Sequence, residues 1–238
     1  MTARFSGKVV LVAGGTGGLG RAVSLAFLEE GATVIVTYRS QKEFDALKSA
    51  VQEKTLLEGQ SVDVTDETAV RQFIGGILSK HGRLDVLVNA VGGYAGGVAL
   101  WELESKVFDQ MFALNVRSGF VLSRATVPAM LKQKSGAIIN IASKAAFDHA
   151  AGAAAYVASK AAALAMIDSL AADLKSTGVR ANSVLPSIID TEANRKAMPN
   201  ADFATWPKPE DIARVILFLC SDDAKLIHGA AVPVYGNS

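Results

Sequence analysis

Short runs of apolar, often β-branched residues recur along the chain, and longer segments of mixed polarity separate them. An unbroken apolar run of this length is typical of a strand that is buried on both faces of a parallel sheet. We therefore predict strands at residues 8–13, 33–37, 84–89, 137–142, 180–185 and 231–234, and a further strand that ends with residues 60–64.

The segments between the strands carry apolar residues at helical spacing. The predicted helices cover residues 21–30, 41–53, 66–80 and 156–176, two segments between 105 and 133 that meet near Asn115, and an apolar helix around Cys220. Asp66 is expected to cap the third of them. Because strands alternate with helices, the pattern predicts an α/β fold whose doubly wound parallel sheet has helices on both faces.

Residues 186–209 are the least regular part of the chain. Pro199 and Pro207 lie within this segment, between Pro186 and Pro209 at its ends, and Phe203 and Trp206 look exposed. A loop of this length in a compact domain is usually functional. We expect a substrate loop at about residues 187–208, and a single domain over residues 1–238 because we find no linker or repeat.

The composition limits the classes of molecule that the protein is expected to bind. Lys and Arg (24) nearly balance Asp and Glu (23), without a basic block, so we expect neither nucleic acid nor a membrane as a partner. Cys220 is the only cysteine, which fits a reducing, cytoplasmic environment. The three histidines are scattered, without the spacing of a metal site, so we expect no metal.

A glycine-rich turn lies between the first strand and the first helix. The glycines that define its motif are Gly14, Gly18 and Gly20. Backbone N–H groups at a helix N-terminus bind a pyrophosphate well. Such a turn can also simply be flexible, but its position after a strand and before a helix favours dinucleotide binding.

The end of the second strand bears on the choice of cofactor. An acid there would bind the ribose hydroxyls of NAD(H), whereas an arginine accommodates the 2′-phosphate of NADP(H). The sequence has Arg39 at this point, so NADP(H) is favoured; NAD(H) stays open because the glycine turn adds no second basic residue. Asp63 either meets the adenine amino group or acts as a cap or turn residue.

Tyr156 and Lys160 are four residues apart in a predicted helix, which places them on one face. A nearby ammonium lowers the pKa of a phenol, so the pair is a candidate for proton transfer near neutral pH. Two solvated side chains on an ordinary helix are the alternative for such a spacing alone.

With these features in order, the chain resembles the short-chain dehydrogenase/reductase family along nearly its full length. The residues that carry the resemblance are Gly14, Gly18, Gly20, Asp63, Val64, Asn89, Ala90, Asn115, Ser143, Tyr156, Lys160, Pro186 and Thr191. Ser143 also precedes Tyr156 by the 13 residues usual in the family. The resemblance implies a Rossmann-type sheet of about seven strands, in the order 3-2-1-4-5-6-7. It also implies hydride transfer between NAD(P)(H), bound at the strand C-termini, and a carbonyl or alcohol.

The resemblance also implies roles for single residues. Tyr156 would be the general acid/base, Ser143 would donate to the substrate oxygen, Lys160 would bind the nicotinamide ribose and Asn115 would hold a water. The cofactor contacts would be Gly14, Thr16, Gly17, Gly18, Leu19, Gly20, Tyr38, Arg39, Asp63, Val64, Asn89, Ala90, Val91, Tyr156, Lys160, Pro186, Ile189 and Thr191. Substrate contacts are expected at Tyr94, Ala145, Phe147 and Trp206. Such proteins commonly form homodimers or homotetramers, here through helices at about 105–133 and 156–176.

Departures from the family pattern leave alternative functions open. The motif after the fourth strand has Val91 where the family has glycine, and Gly92 and Gly93 follow one residue late. Residues 91–97 and 194–206 also look like segments of quinonoid dihydropteridine reductase, which typically uses NADH and lacks the serine that Ser143 supplies here. A nucleotide-sensing protein without catalysis is a further alternative.

Overall fold

The computed structural model describes residues 3–51 and 56–237. Among them, seven strands form one parallel sheet in the order β3-β2-β1-β4-β5-β6-β7, which confirms the predicted topology. The strands are β1 (Val9–Ala13), β2 (Thr33–Tyr38), β3 (Leu57–Ser61), β4 (Val86–Asn89), β5 (Gly136–Ile141), β6 (Val179–Pro186) and β7 (Ala231–Val234). The order reverses between β1 and β4, where a ligand crevice forms in sheets of this kind.

Helices cover both faces of the sheet. They are α1 (Gly18–Glu29), α2 (Gln41–Ser49), α3 (Glu67–His81), α4 (Ser105–Phe112), α5 (Ser118–Gln133), α6 (Ala154–Asp173), α7 (Glu192–Ala197) and α8 (Pro209–Cys220). Helices α1 and α8 pack with alternate strand residues such as Val10 and Val12. Helices α3, α5 and α6 pack with the other set, such as Val9 and Leu11. Each central strand is therefore buried on both faces, as its apolar sequence predicts.

Local signals in the sequence fix several helix ends. Asp66 caps α3 as predicted, because its carboxylate accepts hydrogen bonds from the backbone N–H groups of Thr68 and Ala69. Gly82 ends the same helix in the left-handed conformation, at φ 71°. Pro209 opens α8, where its missing N–H costs nothing.

Some predicted bounds were wrong. Strand β3 ends at Ser61, not at residue 64, because the Asp63 carboxylate accepts hydrogen bonds from Thr65 and turns the chain. Helix α2 ends at Ser49; the prediction to residue 53 reaches beyond the described residues. Helix α6 spans 154–173 and not 156–176.

The segment predicted as an irregular loop is more ordered than expected. It contains α7 and a 3-10 turn at Phe203–Thr205. Trp206, predicted to be exposed, is 6% exposed, and its ring lies 5.0 Å from that of Phe203. Burial removes the indole from water and so holds the C-terminal part of this segment against the rest of the protein.

Helix α6 has the length and apolar character of a membrane-spanning helix. It nevertheless packs on β6 and contributes Ala163, Leu164 and Ile167 to the core. It also carries the buried Lys160, so its composition is explained by its place against the sheet.

Candidate active site

Four polar side chains predicted from the sequence lie around the N-terminal half of α6. Ser143 follows β5 and is 9% exposed. Tyr156 and Lys160 lie on the first turns of α6, and Asn115 lies in a π-helical turn, Ala113–Arg117, between α4 and α5. The carboxyl end of the central sheet and one helix terminus therefore bring the four residues together.

The Ser143 side chain lies near enough to the Tyr156 hydroxyl to act on its pKa, and the edge of the Tyr94 ring packs against Tyr156. The two tyrosine ring centroids are 4.9 Å apart, with an interplanar angle of 72°. Burial raises the pKa of the Tyr156 hydroxyl and Tyr94 adds to this rise, whereas the nearby Ser143 side chain opposes it. The lowered pKa predicted from the spacing to Lys160 is therefore wrong for this structure.

Lys160 is buried beneath the tyrosine. Its Nζ atom donates a hydrogen bond to the Ile141 carbonyl oxygen at 2.9 Å and lies 6.0 Å from the centroid of the Tyr156 ring. Burial lowers the pKa of the ammonium to about 8. The pKa that is shifted toward neutral pH is thus that of Lys160, not that of Tyr156. At neutral pH most molecules still carry the positive charge on Lys160.

Asn115 fixes the loop that follows β4. Its Oδ1 accepts from the Gly93 N–H at 2.9 Å, and its Nδ2 donates to the Gly93 carbonyl at 3.1 Å and to the Ser159 hydroxyl at 2.9 Å. A Cβ atom on Gly92 would lie 3.3 Å from Lys160 Nζ. Because Gly92 and Gly93 have no side chains, the backbone can pass close to Asn115 and Lys160. This anchoring role was missed from the sequence; the water-holding role stays a prediction.

The glycine-rich turn is tied to β2 and leaves the start of α1 open. The Gly14 N–H donates to the Thr37 hydroxyl at 2.9 Å, and the Gly15 N–H donates to the Thr37 carbonyl at 3.1 Å. A Cβ atom on Gly20 would lie 2.1 Å from the Gly14 carbonyl oxygen, so only glycine allows this close turn. Gly17 caps α1 without a side-chain hydrogen bond, and the first turn has no acid. This fits a pyrophosphate, which would take the place of a capping side chain.

Several predicted cofactor contacts surround this turn. Thr191 packs against it, because a Cβ on Gly18 would lie 2.7 Å from the Thr191 Cγ2 atom. The Val91 side chain lies beside Gly14. Leu19 and Val64 are buried in the core, which leaves their backbones to face a ligand. Ala90 follows the end of β4 and Pro186 ends β6, both at the same edge of the sheet.

Asn89 and Ile189, two further predicted cofactor contacts, have polar groups that form hydrogen bonds within the protein. Asn89 Nδ2 donates to the Asn140 Oδ1 atom at 3.1 Å, and its Oδ1 accepts from the Val91 N–H at 3.2 Å. The Ile189 carbonyl accepts from the Thr191 N–H and from Asn194 Nδ2, each at 2.8 Å. These bonds hold the loops around the crevice in place.

The opposite end of the crevice contains the residues predicted for the adenosine half. Arg39 is exposed, and its charge contributes to lowering the pKa of Asp63. The larger causes are the hydrogen bonds from the Thr65 hydroxyl and N–H to the Asp63 carboxylate. Asp63 is thus a turn residue in this structure, and its contact with adenine stays a prediction.

Glu43 was missed from the sequence. Its carboxylate accepts a hydrogen bond from the Thr16 hydroxyl, within the glycine turn, at 3.1 Å. The available signal was Ser40, three residues before Glu43, a spacing that marks the start of a helix. That spacing identifies the helix cap but not a partner in the glycine turn.

The expected substrate contacts do not share one environment. Tyr94 and Phe147 are 70% and 64% exposed, and Ala145 donates its N–H to the Ser143 hydroxyl at 3.1 Å. Trp206 is buried against Phe203, so its role as an exposed pocket residue is not supported. Among the described residues, no group of three or more His, Cys, Asp or Glu side chains is placed to hold a metal ion.

Comparisons with known proteins identify relatives of the whole chain. The sequence profile of the family described as short chain dehydrogenase matches residues 8–202. A 3-oxoacyl-acyl-carrier-protein reductase of Thermotoga maritima is 32% identical over 245 residues, which cover 98% of each protein. A 7alpha-hydroxysteroid dehydrogenase of Escherichia coli is 32% identical over 98% of this chain and 94% of the relative. The crystal structure of levodione reductase matches with a TM-score of 0.92 at 27% identity, over 98% of both chains.

Proposed function

The chain belongs to the short chain dehydrogenase family of oxidoreductases, and we propose that it transfers a hydride between a nicotinamide cofactor and a carbonyl or alcohol substrate. The observation that carries the proposal is the grouping of three side chains: Ser143 lies near enough to Tyr156 to act on its pKa, and the buried Lys160 Nζ lies 6.0 Å from the centroid of the Tyr156 ring. A sensor protein without catalysis would have no need of this arrangement, so we favour the enzyme.

Tyr156 is the proton donor to the substrate oxygen in the reduction and the acceptor in the reverse direction. Its raised pKa keeps the phenol protonated at neutral pH, which suits the donor role. Because the Ser143 side chain lies near the Tyr156 hydroxyl, an oxygen placed between the two hydroxyls would accept from both. Both donors would stabilise the charge that develops on that oxygen.

Lys160 places a positive charge beneath the phenol. One of its three N–H donors is used by the Ile141 carbonyl, which leaves donors for the nicotinamide ribose. The same charge stabilises the phenolate that remains after proton donation. Lys160 therefore acts on the protonation of Tyr156 during turnover, although burial dominates the pKa of the tyrosine in this structure.

The cofactor would lie along the carboxyl edge of the sheet. The start of α1 would hold the pyrophosphate, and the segments that contain Asn89–Val91 and Pro186–Thr191 would hold the nicotinamide half. Arg39 favours NADPH, because an exposed guanidinium at the end of β2 can pair with a 2′-phosphate. NADH remains an acceptable cofactor in this proposal.

The substrate is a small or medium cyclic or apolar carbonyl compound. Tyr94 and Phe147 offer exposed aromatic surface near Tyr156 and Ser143, and Ala145 is small. One relative is named for a hydroxysteroid, which agrees with a cyclic, apolar substrate. Ser143 argues against quinonoid dihydropteridine reduction, since the enzymes of that type lack this serine.

We also propose a cytoplasmic enzyme whose residues 1–238 act as one domain and assemble as a homodimer or homotetramer. An apolar groove supports the assembly, since Leu100 and Trp101 are 65% and 86% exposed beside Ala158 and Ala161 of α6. Light scattering that finds a monomer at working concentration would contradict the assembly.

The test of the function is oxidation of NADPH across a panel of cyclic and linear ketones, together with the titration of NADPH binding by fluorescence. We expect NADPH to bind and at least one apolar ketone to be reduced. Binding without oxidation across the whole panel would favour a sensor, and absence of binding would contradict the proposal altogether.

A further inference from the structure

Glu43 connects the first turn of α2 to the glycine turn. The Thr16 hydroxyl donates to its Oε2 atom at 3.1 Å, although the two residues are 27 positions apart. Thr16 lies between Gly14 and Gly18, at the start of α1. The carboxylate is therefore held at the end of the crevice that faces the adenosine half of a dinucleotide.

Three contacts hold Glu43 in this position. The Ser40 hydroxyl accepts its backbone N–H at 3.4 Å. The adjacent Phe44 ring stacks on Tyr38 with centroids 4.7 Å apart and planes 7° from parallel. The Tyr38 hydroxyl donates to Gln41 at 2.7 Å. The first turn of α2 is thus fixed on the end of β2, and the Glu43 side chain points back to the glycine turn.

Glu43 is an exposed carboxylate in the first turn of α2, five residues beyond the end of β2 where dinucleotide-binding folds place the acid for the ribose hydroxyls. The end of β2 itself has no acid, since Tyr38, Arg39 and Ser40 stand there. Arg39 lies close enough to Asp63 for its positive charge to contribute to lowering the pKa of the Asp63 carboxyl. Two opposite charges thus border the adenosine end: the Arg39 guanidinium and the Glu43 carboxylate.

We propose that Glu43 determines cofactor specificity: its carboxylate binds the adenosine ribose hydroxyls of NAD(H) and repels the 2′-phosphate of NADP(H). Arg39 confers the preference for NADP(H), and Glu43 limits it. This inference rests on the proposed function, because it requires a dinucleotide in the crevice. The residues at the end of β2 alone do not reveal Glu43 as a determinant of cofactor specificity.

The test is the Glu43→Gln variant, which keeps an acceptor for Thr16 and removes the charge. Dissociation constants for NADPH and NADH are measured by fluorescence, and those for 2′,5′-ADP and 5′-ADP by calorimetry, which needs no turnover. Glu29→Gln, at the far end of α1, is the matched control because Glu29 is also exposed. Circular dichroism checks that each variant is folded.

We expect Glu43→Gln to tighten NADPH and 2′,5′-ADP and to weaken NADH, and to move the NADPH-to-NADH affinity ratio by about tenfold. Glu29→Gln should leave the ratio unchanged. An unchanged ratio in folded Glu43→Gln would overturn the inference while leaving the proposed function intact. Failure of the wild type to bind any of the four nucleotides would instead overturn both.

Discussion

The ammonium group of Lys160 lies 6.0 Å from the centre of the Tyr156 ring and donates its hydrogen bond to the Ile141 carbonyl. The lysine is thus held by the backbone at the end of β5 and not by the phenol. Burial raises the pKa of Tyr156 and lowers the pKa of Lys160 to about 8, which are opposite changes with one cause. A buried charge at this position costs stability and is expected to serve catalysis.

Replacing Lys160 by methionine should stabilise the protein without cofactor. Because the folded pKa, about 8, is below the ordinary lysine value of 10.5, the unfolded state binds more protons between these values. The penalty is therefore fully present below about pH 8 and falls as the pH rises toward 10.5. We expect Lys160→Met to raise the free energy of unfolding by about 1–3 kcal/mol near pH 7, by less near pH 10, and to abolish turnover.

Urea unfolding at the two pH values measures this effect, and the exposed Lys175→Met is the control. An equal loss of stability in Lys160→Met at both pH values would contradict the account, since it would show that the ammonium is not penalised by burial.

Gly20 and Gly17 should respond differently to alanine. A Cβ on Gly20 would lie 2.1 Å from the Gly14 carbonyl oxygen, whereas a Cβ on Gly17 meets nothing nearer than 3.5 Å. We expect Gly20→Ala to lower the free energy of unfolding by about 2–4 kcal/mol and to weaken NADPH binding, because the turn must open. Gly17→Ala should fold with a stability within about 1 kcal/mol of the wild type. Equal stability of the two variants would refute the role of the close turn.

Asp85 is a structural carboxylate at the opposite end of the sheet. It is 6% exposed, pairs with Arg83 and Lys8, and accepts the Val9 N–H at 2.9 Å. Burial acts against its ionisation, but the Arg83 hydrogen bonds, the Val9 N–H and the Lys8 charge outweigh burial and lower its pKa. Its folded pKa is below the unfolded value, so its contribution is present above about pH 4 and is lost as the pH falls through the folded pKa.

Asp85→Asn should therefore lower the free energy of unfolding by about 2–4 kcal/mol near pH 7. The difference from the wild type should shrink below about pH 4. Urea unfolding across this range tests the prediction, with the exposed Asp223→Asn as a control. A difference that is constant with pH would show that the charge of Asp85 is not responsible.

Tyr94 is expected to shape the substrate pocket. Its ring packs edge-on against Tyr156, yet 70% of the residue is exposed, so it can contact a bound substrate. Tyr94→Ala should raise KM for an apolar ketone about 3- to 10-fold and change kcat less. Leu226→Ala, exposed at a site away from Tyr156, should leave both constants unchanged. An unchanged KM in Tyr94→Ala would remove Tyr94 from the pocket.

The strands, the helices and the pairing of Tyr156 with Lys160 follow from features that are local in sequence, whereas the strand order and the place of Ser143 were expected from the family resemblance. Apolar runs mark the buried strands, and the alternation of strands and helices determines the sheet. Helical spacing placed Tyr156 and Lys160 on one face. These elements were predictable because each depends on residues close together in the chain.

Other features depend on contacts between distant parts of the chain. Trp206 is buried, and the residue before it is bonded to the C-terminal part of the chain, since the Asn237 N–H donates to the Thr205 carbonyl at 3.1 Å. The Glu43–Thr16 contact joins the first turn of α2 to the glycine turn, and no spacing rule relates the two residues. The pKa of Tyr156 follows its burial more than its neighbour in the helix, and burial is known only from the fold.

The most direct test of the proposed mechanism is the activity of Tyr156→Phe, which removes the hydroxyl near Ser143 and keeps the ring that packs against Tyr94. With a ketone that the wild type reduces, kcat/KM should fall by about 10²- to 10⁴-fold, while the dissociation constant of NADPH stays within about threefold. Turnover close to that of the wild type would contradict the assignment of Tyr156 as the proton donor.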